Sequence, residues 1–191
     1  PAAPWSVLAV TFTNKAANEL RERLSAFGIQ GAESVWAMTF HSACVRILRR
    51  DIDRLGFSRD FTIYDTDDSK RVIKDILKEL NIDEKKLTPR EVLLAISNAK
   101  DAMESHQDYS RCWKDSGDWR KEAIAKIYTR YVHRLAEANA LDFDDIILHA
   151  VTLLQQEGEV RDYYRRKFRY VLIDEYQDTN RLQYLLMKQL V

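Results

Sequence analysis

The run Tyr170-Val171-Leu172-Ile173, ending directly on Asp174-Glu175, constrains the fold of this chain more than any other stretch. A short, continuous apolar run reads as a strand buried on both faces of a sheet. Carboxylates at the C-terminal end of such a strand lie at the edge where parallel α/β sheets bind ligands. At that edge one acid can hold the magnesium shell of a nucleotide while its neighbour orients an attacking water. Magnesium takes one or two carboxylates plus substrate phosphates, so a single acidic pair suffices. A strand ending in a solvated acidic helix cap would carry the same pattern, and the bare run leaves both readings open.

Strand signals recur near the other end of the chain. Val7 to Thr11 and Val35 to Thr39 are short, apolar and rich in β-branched residues. After the first comes Phe12-Thr13-Asn14 and a helical pattern carrying Ala16, Ala17, Leu20, Leu24 and Phe27, with Thr13 or Asn14 as cap and Gly28 as stop. A second helix is predicted from about Ser42 to Leu55, ended by Gly56, with Phe61 to Tyr64 as a third short strand. From Asp67 to about Ala138 the chain reads as helical, and Thr88-Pro89-Arg90-Glu91 is a strong start signal. Glu104 to Asp118 is polar and weakly periodic, and is expected to be a loop. Helices are predicted again from about Trp119 to Asn139 and from Asp142 onward. Strands at both ends around a helical middle indicate an α/β fold, a parallel sheet interrupted by an all-helical subdomain. The expected divisions are 1–64, 65–140 and 141–191.

Composition excludes several classes. Hydrophobic residues at 46% can bury a core, while 31% charged residues with only 5 Gly and 3 Pro favour a helix-rich fold. Formal net charge is zero, with 30 basic and 30 acidic side chains, so any nucleic-acid contact must come from a local groove rather than a generally basic surface. No apolar run approaches the roughly 18 residues of a membrane span, and no signal peptide opens the sequence, so a cytoplasmic protein without a membrane partner is expected. Cys44 and Cys112 lack metal-ligand spacing and read as reduced. Asp65-Thr66-Asp67-Asp68 reads as a helix start, because an EF-hand counted from Asp65 would put Lys70 at the Gly position and Ile76 at the closing Glu. Asp142-Phe143-Asp144-Asp145 reads as a helix cap with acids in the first turn, and Arg165 to Arg169 as a solvated face rather than a DNA patch.

Thr11-Phe12 and Thr39-Phe40 repeat one design at two strand–helix junctions. Helix-end N–H groups there can seat a phosphate, and an exposed aromatic can stack a base. Thr11, Thr13, Asn14, Thr39, His41 and Ser42 supply short polar groups beside them. Each Phe taken alone reads more readily as core than as platform, finding both in the same setting brings the two readings level, and His41 alone carries no assignment. A phosphate loop, Gly-x-x-x-x-Gly-Lys-[Ser/Thr], is not among these residues: none of Gly28, Gly31, Gly56, Gly117 and Gly158 precedes a Lys.

Taken together, LAVTFTNKAANELRERL, TFHSACVRILRRDI, LDFDDIILHAVTLL and YVLIDEYQDTNRLQYLL resemble superfamily 1 helicases of the UvrD/PcrA/Rep family, in the family's order and at about its spacing. The resemblance covers most of the chain and is weakest at about Glu104 to Arg120. It implies a partial RecA-like P-loop NTPase domain with an inserted helical subdomain of the type called 1B. It implies single-stranded DNA contacts from Thr11, Phe12 and Asn14, and from Thr39, Phe40 and His41. In DEYQDTN it implies Asp174 for magnesium, Glu175 as catalytic base, and Gln177 as a link between nucleotide state and neighbouring motifs.

The parent protein is therefore expected to use ATP and Mg2+ to move 3′ to 5′ along single-stranded DNA and unwind duplex, in repair or replication, acting on single strands and strand–duplex junctions. Without a phosphate loop, this chain alone is expected neither to hydrolyse ATP nor to hold a cofactor tightly. Alternative readings are a residual single-stranded DNA-binding module, an inert structural piece prone to self-association through exposed sheet edges, and a parent of the RecB/AddA helicase–nuclease type.

Overall fold

The structure, a computed structural model, describes residues 2–191. The chain runs through β1 (Val7–Thr11), α1 (Asn14–Ala26), β2 (Trp36–Thr39), α2 (Phe40–Asp51) and β3 (Thr62–Ile63). Next come α3 (Thr66–Glu79), α4 (Pro89–Asp101), α5 (His106–Trp113), α6 (Trp119–Glu137) and β4 (Ala140–Leu141). It ends with α7 (Phe143–Gln156), α8 (Gly158–Lys167), β5 (Tyr170–Ile173) and α9 (Arg181–Leu190). Two compact units result: one combines the residues up to Arg59 with His149–Val191, and the other is Asp60–Leu148.

The first unit is built on a three-stranded sheet in the order β2-β1-β5. Both pairings are parallel, so all three C-terminal ends share one edge. β1 is central, and its Leu8, Ala9 and Val10 are buried, as a continuous apolar run requires. Phe40, Cys44, Ile47 and Leu48 of α2 and Leu182 and Leu186 of α9 are buried in the same unit. β5 departs from the expectation of burial on both faces. Tyr170 is 51% and Leu172 58% exposed, because β5 is an edge strand whose alternate side chains point to an uncovered face.

The second unit is a helical cluster centred on Ile73, Ile76 and Leu77 of α3, Val92 and Ile96 of α4, and Ile127 and Tyr131 of α6. Start signals read from sequence act here through their side chains. Thr88 accepts from the Glu91 amide at 3.2 Å while Glu91 returns to the Thr88 amide at 2.9 Å, and Asp65 and Asp68 form the same reciprocal cap. The expected loop from Glu104 to Asp118 instead contains α5. Ser105 caps it, and the buried Tyr109 anchors it, its ring 6.0 Å from that of Tyr128 on α6. One deeply buried side chain in a single short helix leaves too little periodicity to read.

β3 and β4 pair with each other and not with the larger sheet, aligning Thr62 with Ala140 and Ile63 with Leu141. This clasp ties together the two ends of the helical unit, which spans Asp60–Leu148.

The acidic start of α7 is also more than a cap. Asp142 accepts from the Asp145 amide at 2.8 Å, as a cap does. The ammonium of Lys100, 2% exposed, lies 2.6 Å from Asp142 Oδ2 and 2.8 Å from Asp145 Oδ1. The Tyr131 hydroxyl donates to Asp142 Oδ2 at 2.8 Å. Burial works against the charge on Lys100, but Asp145 and Asp142 outweigh it and hold the ammonium above its usual range.

Candidate functional site at the carboxyl edge of the sheet

Register brings the two Thr-Phe junctions and the acidic pair to one edge. Thr11 aligns with Thr39, and Val10 with Ile173, which sets Thr11 level with Asp174. The ladder continues one step further, with the Asp174 amide donating to Val10 O at 3.1 Å. Thr39, Thr11 and Asp174 thus form a row across the strand ends, with neighbouring strands about 4.8 Å apart.

Around that row the residues differ in what they offer. Thr11 is 3% exposed and donates to Thr13 O at 3.1 Å. Thr39 is 8% exposed and donates to Ser42 Oγ at 2.9 Å, while accepting from the Ser42 amide as the cap of α2. Both hydroxyl hydrogens are spent inside the protein, so these threonines shape the turns rather than supply donors outward. Thr13 caps α1 by accepting from the Ala16 amide at 3.1 Å. Asn14, His41 and Ser42 are exposed in the first turns of α1 and α2.

The two aromatics also part company. Phe40 is 1% exposed, so no base can stack on it, and the expectation of a platform there is corrected. Phe12 is half-buried, and its ring packs on Phe40 at 5.2 Å between centroids, tilted by 56°. Phe40 backs Phe12, leaving Phe12 as the aromatic with an accessible surface.

The acidic pair sits on a tight turn. Asp174, Glu175 and Gln177 are all exposed. Glu175 has φ 51°, in the left-handed region, and opens the short turn Tyr176–Asp178. A non-glycine residue held there costs about 1–2 kcal/mol, and such strain clusters at functional sites. Asn180 then caps α9 in a reciprocal box with Gln183. A cavity of about 530 Å³ lies beside Asp174, lined by Thr11, Ala16 and Leu20 and by Leu172, Ile173 and Asp174 itself. Glu19 and Arg23 of α1 also line it. Their spacing of four marks one helix face, but nothing in the sequence relates that face to Asp174.

A magnesium ion on a nucleotide fits this donor set. Asp174 presents an exposed carboxylate at the strand end, and the ion would take its remaining ligands from phosphates and water. Among the described residues no group of three or more His, Cys, Asp or Glu is arranged to hold a metal by itself. Thiol chemistry at Cys44 is disfavoured, since it is buried and burial pushes its thiol far up; Cys112 is a second free thiol, exposed on α5.

With three parallel strand ends, two capped helix starts and an acidic pair on one edge, comparison with known proteins gives a direct answer. The UvrD/REP helicase N-terminal domain matches residues 1–191. The chain belongs to that family. The UvrD/REP domain is RecA-like, in agreement with the parallel α/β sheet of the first unit. The chain is similar to the ATP-dependent DNA helicase PcrA of Bacillus subtilis (strain 168), 49% identical over 188 residues, which is 98% of this chain and 25% of that protein. PcrA of Staphylococcus aureus (strain Mu50) is 48% identical and PcrA of Staphylococcus epidermidis 46% identical, each with the same coverage. The chain thus spans about a quarter of the length of these relatives. No helix among the described residues is long and apolar enough to cross a membrane.

Proposed function

We propose that this chain is part of an ATP-dependent DNA helicase and carries one wall of its nucleotide site together with part of its single-strand track. The observation that carries this reading is the shared edge, where Asp174 stands level with the Thr11 and Thr39 junctions. In this reading Asp174 holds the magnesium shell, and the ion supplies neutralisation of phosphate charge. Glu175 takes the proton of the attacking water, and Gln177 on the same turn senses the nucleotide. The strained backbone at Glu175 supports a geometry set for chemistry rather than for stability.

For DNA, Phe12 is the stacking platform, with Phe40 behind it. Asn14 and His41 are the polar contacts beside it, and Thr11 and Thr39 hold the turns. The helical unit Asp60–Leu148 corresponds in this reading to the inserted subdomain. The full-length protein would be cytoplasmic, would travel 3′ to 5′ on single strands and would serve repair or replication. The 191-residue chain, with no Gly-x-x-x-x-Gly-Lys sequence, would not turn over ATP by itself. A residual role as a weak single-strand binder is favoured by one observation, the accessible ring of Phe12.

The test is Glu175→Gln in the longer protein. DNA-stimulated ATP hydrolysis should fall by about 100-fold or more, the scale of a lost general base, while binding of nucleotide and of oligo-dT persists. Hydrolysis at the unsubstituted rate would overturn the assignment.

A further inference from the structure

On the flank of the first unit, away from the carboxyl edge, cations are stacked on a cluster of aromatic rings. Trp36, at the start of β2, is 5% exposed. The Arg46 guanidinium of α2 lies 4.2 Å from its ring centroid, and the Lys167 ammonium at the end of α8 lies 4.6 Å from it. One turn further along α2, the Arg50 guanidinium lies 3.5 Å from the Tyr163 ring and 5.6 Å from the Tyr164 ring. Beneath them Trp36, Tyr164 and Phe168 pack on one another, at 4.9 Å for Trp36 with Phe168 and 6.0 Å for Tyr164 with Phe168.

Charge is concentrated here in a chain whose formal net charge is zero. Arg50 has a carboxylate neighbour, Asp51, with Nε to Oδ2 at 3.6 Å. Arg46 and Lys167 have no ion pair among the described residues. Burial, together with the charges of Arg46 and Arg50, lowers the Lys167 ammonium below its usual range, so the three cations lie within each other's fields. Attraction to the rings offsets part of the repulsion between these like charges, and an anion placed among them would relieve the rest. The rings fix long side chains that would otherwise sample many rotamers, which lowers the entropy lost when they engage a ligand.

We propose that Arg46, Arg50 and Lys167 form a second, sequence-independent contact for the phosphodiester backbone of DNA, separate from the Phe12 platform. The spacing of the cations favours a backbone over a single phosphate. Arg46 and Arg50 are four residues apart, about 6 Å along a helix, with Lys167 contributed by another element. The two sites also share one element, since α2 begins directly after the Thr39 junction and carries Arg46 and Arg50. From Thr39 to Arg50 the helix rises about 16 Å, so one strand can meet the Phe12 junction and this flank only if it is long enough to span both. The inference rests on the DNA-binding reading above.

The test is a salt titration of oligo-dT binding by fluorescence anisotropy. It uses a short oligomer of about 4 nucleotides, which stacked reaches only about 10 Å, and a longer one of about 16, the two ends of the range typical of single-strand sites. Arg46→Gln with Arg50→Gln should bind the short oligomer like the unsubstituted chain and lose the extra affinity for the long one. Its slope of log K against log salt on the long oligomer should fall by about 1.4, the loss of two phosphate contacts on a single strand. Arg46→Lys with Arg50→Lys keeps the charge and should retain the slope, which separates charge loss from misfolding. Phe12→Ala should weaken both lengths and leave the slope alone.

An unchanged slope on the long oligomer overturns this proposal and leaves the Phe12 reading standing. Displacement by polyglutamate as effectively as by unlabelled DNA also overturns it, assigning the flank to an acidic protein surface. If the unsubstituted chain binds neither oligomer, this proposal falls together with the reading of the chain as a residual single-strand binder.

Discussion

At Phe12 and Phe40 the same dipeptide, Thr-Phe after a strand, meets two environments. Phe12 follows the central strand and keeps part of its ring accessible, whereas Phe40 turns inward under α2 and is 1% exposed. The difference is testable because the two energies are of different kinds. Phe40→Ala should cost about 3–5 kcal/mol of stability as a core truncation, seen as a lower urea midpoint. Phe12→Ala should cost about 1–3 kcal/mol of affinity for oligo-dT, the scale of one stacked base, with a much smaller shift in unfolding. Equal unfolding midpoints for the two variants would contradict this assignment of roles. The sequence placed both rings at matching junctions, but burial depends on what packs above each ring, and a dipeptide does not encode that.

Among the elements, α7 and α5 show what local reading does and does not reach. The acids at the start of α7 were legible as a cap, and they do cap it. Their partner Lys100 lies 42 residues away on α4, beyond any local pattern. Lys100→Met should destabilise the helical unit by about 3–5 kcal/mol, because it strands Asp142 and Asp145 in a buried site without their counter-charge. Adding Asp142→Asn and Asp145→Asn should recover part of that loss in urea unfolding. A Lys100→Met chain of unchanged midpoint would rule out this role.

α5 carries a pH dependence. Burial and the neighbouring His133, with ring centroids 5.4 Å apart, hold the His106 imidazole below its ordinary 6.5. The unfolded chain therefore takes up that proton first, and the stability this site contributes rises with pH through the window below 6.5 and is lost as pH falls through it. His106→Gln should narrow the difference between urea midpoints measured at about pH 7.5 and about pH 5.5. An identical difference in both chains would refute the linkage.

For the whole molecule, the open face of β5 sets the behaviour. The sheet has two edges, β2 and β5, and the β5 edge bears Tyr170 and Leu172 more than half exposed. An exposed apolar edge strand is a template for pairing with another chain. The isolated chain should therefore self-associate as concentration rises, measured by light scattering, and Leu172→Lys should suppress this. A strictly monomeric scattering mass at high concentration would count against it.

What the sequence by itself determined is local and periodic: the three strands that form the larger sheet, the helix starts at Asp65 and Thr88, a first helix start at Thr13 or Asn14, and the acidic pair closing the last strand. These signals lie within a few residues, where hydrophobic spacing and side-chain caps act directly on the backbone. The tertiary structure alone decided which Phe is accessible, that Lys100 neutralises the start of α7, that β3 and β4 clasp each other, and that cations from α2 and α8 converge on Trp36. Each of those outcomes depends on which distant surfaces meet, and contact between residues dozens of positions apart leaves no periodic trace in a single chain.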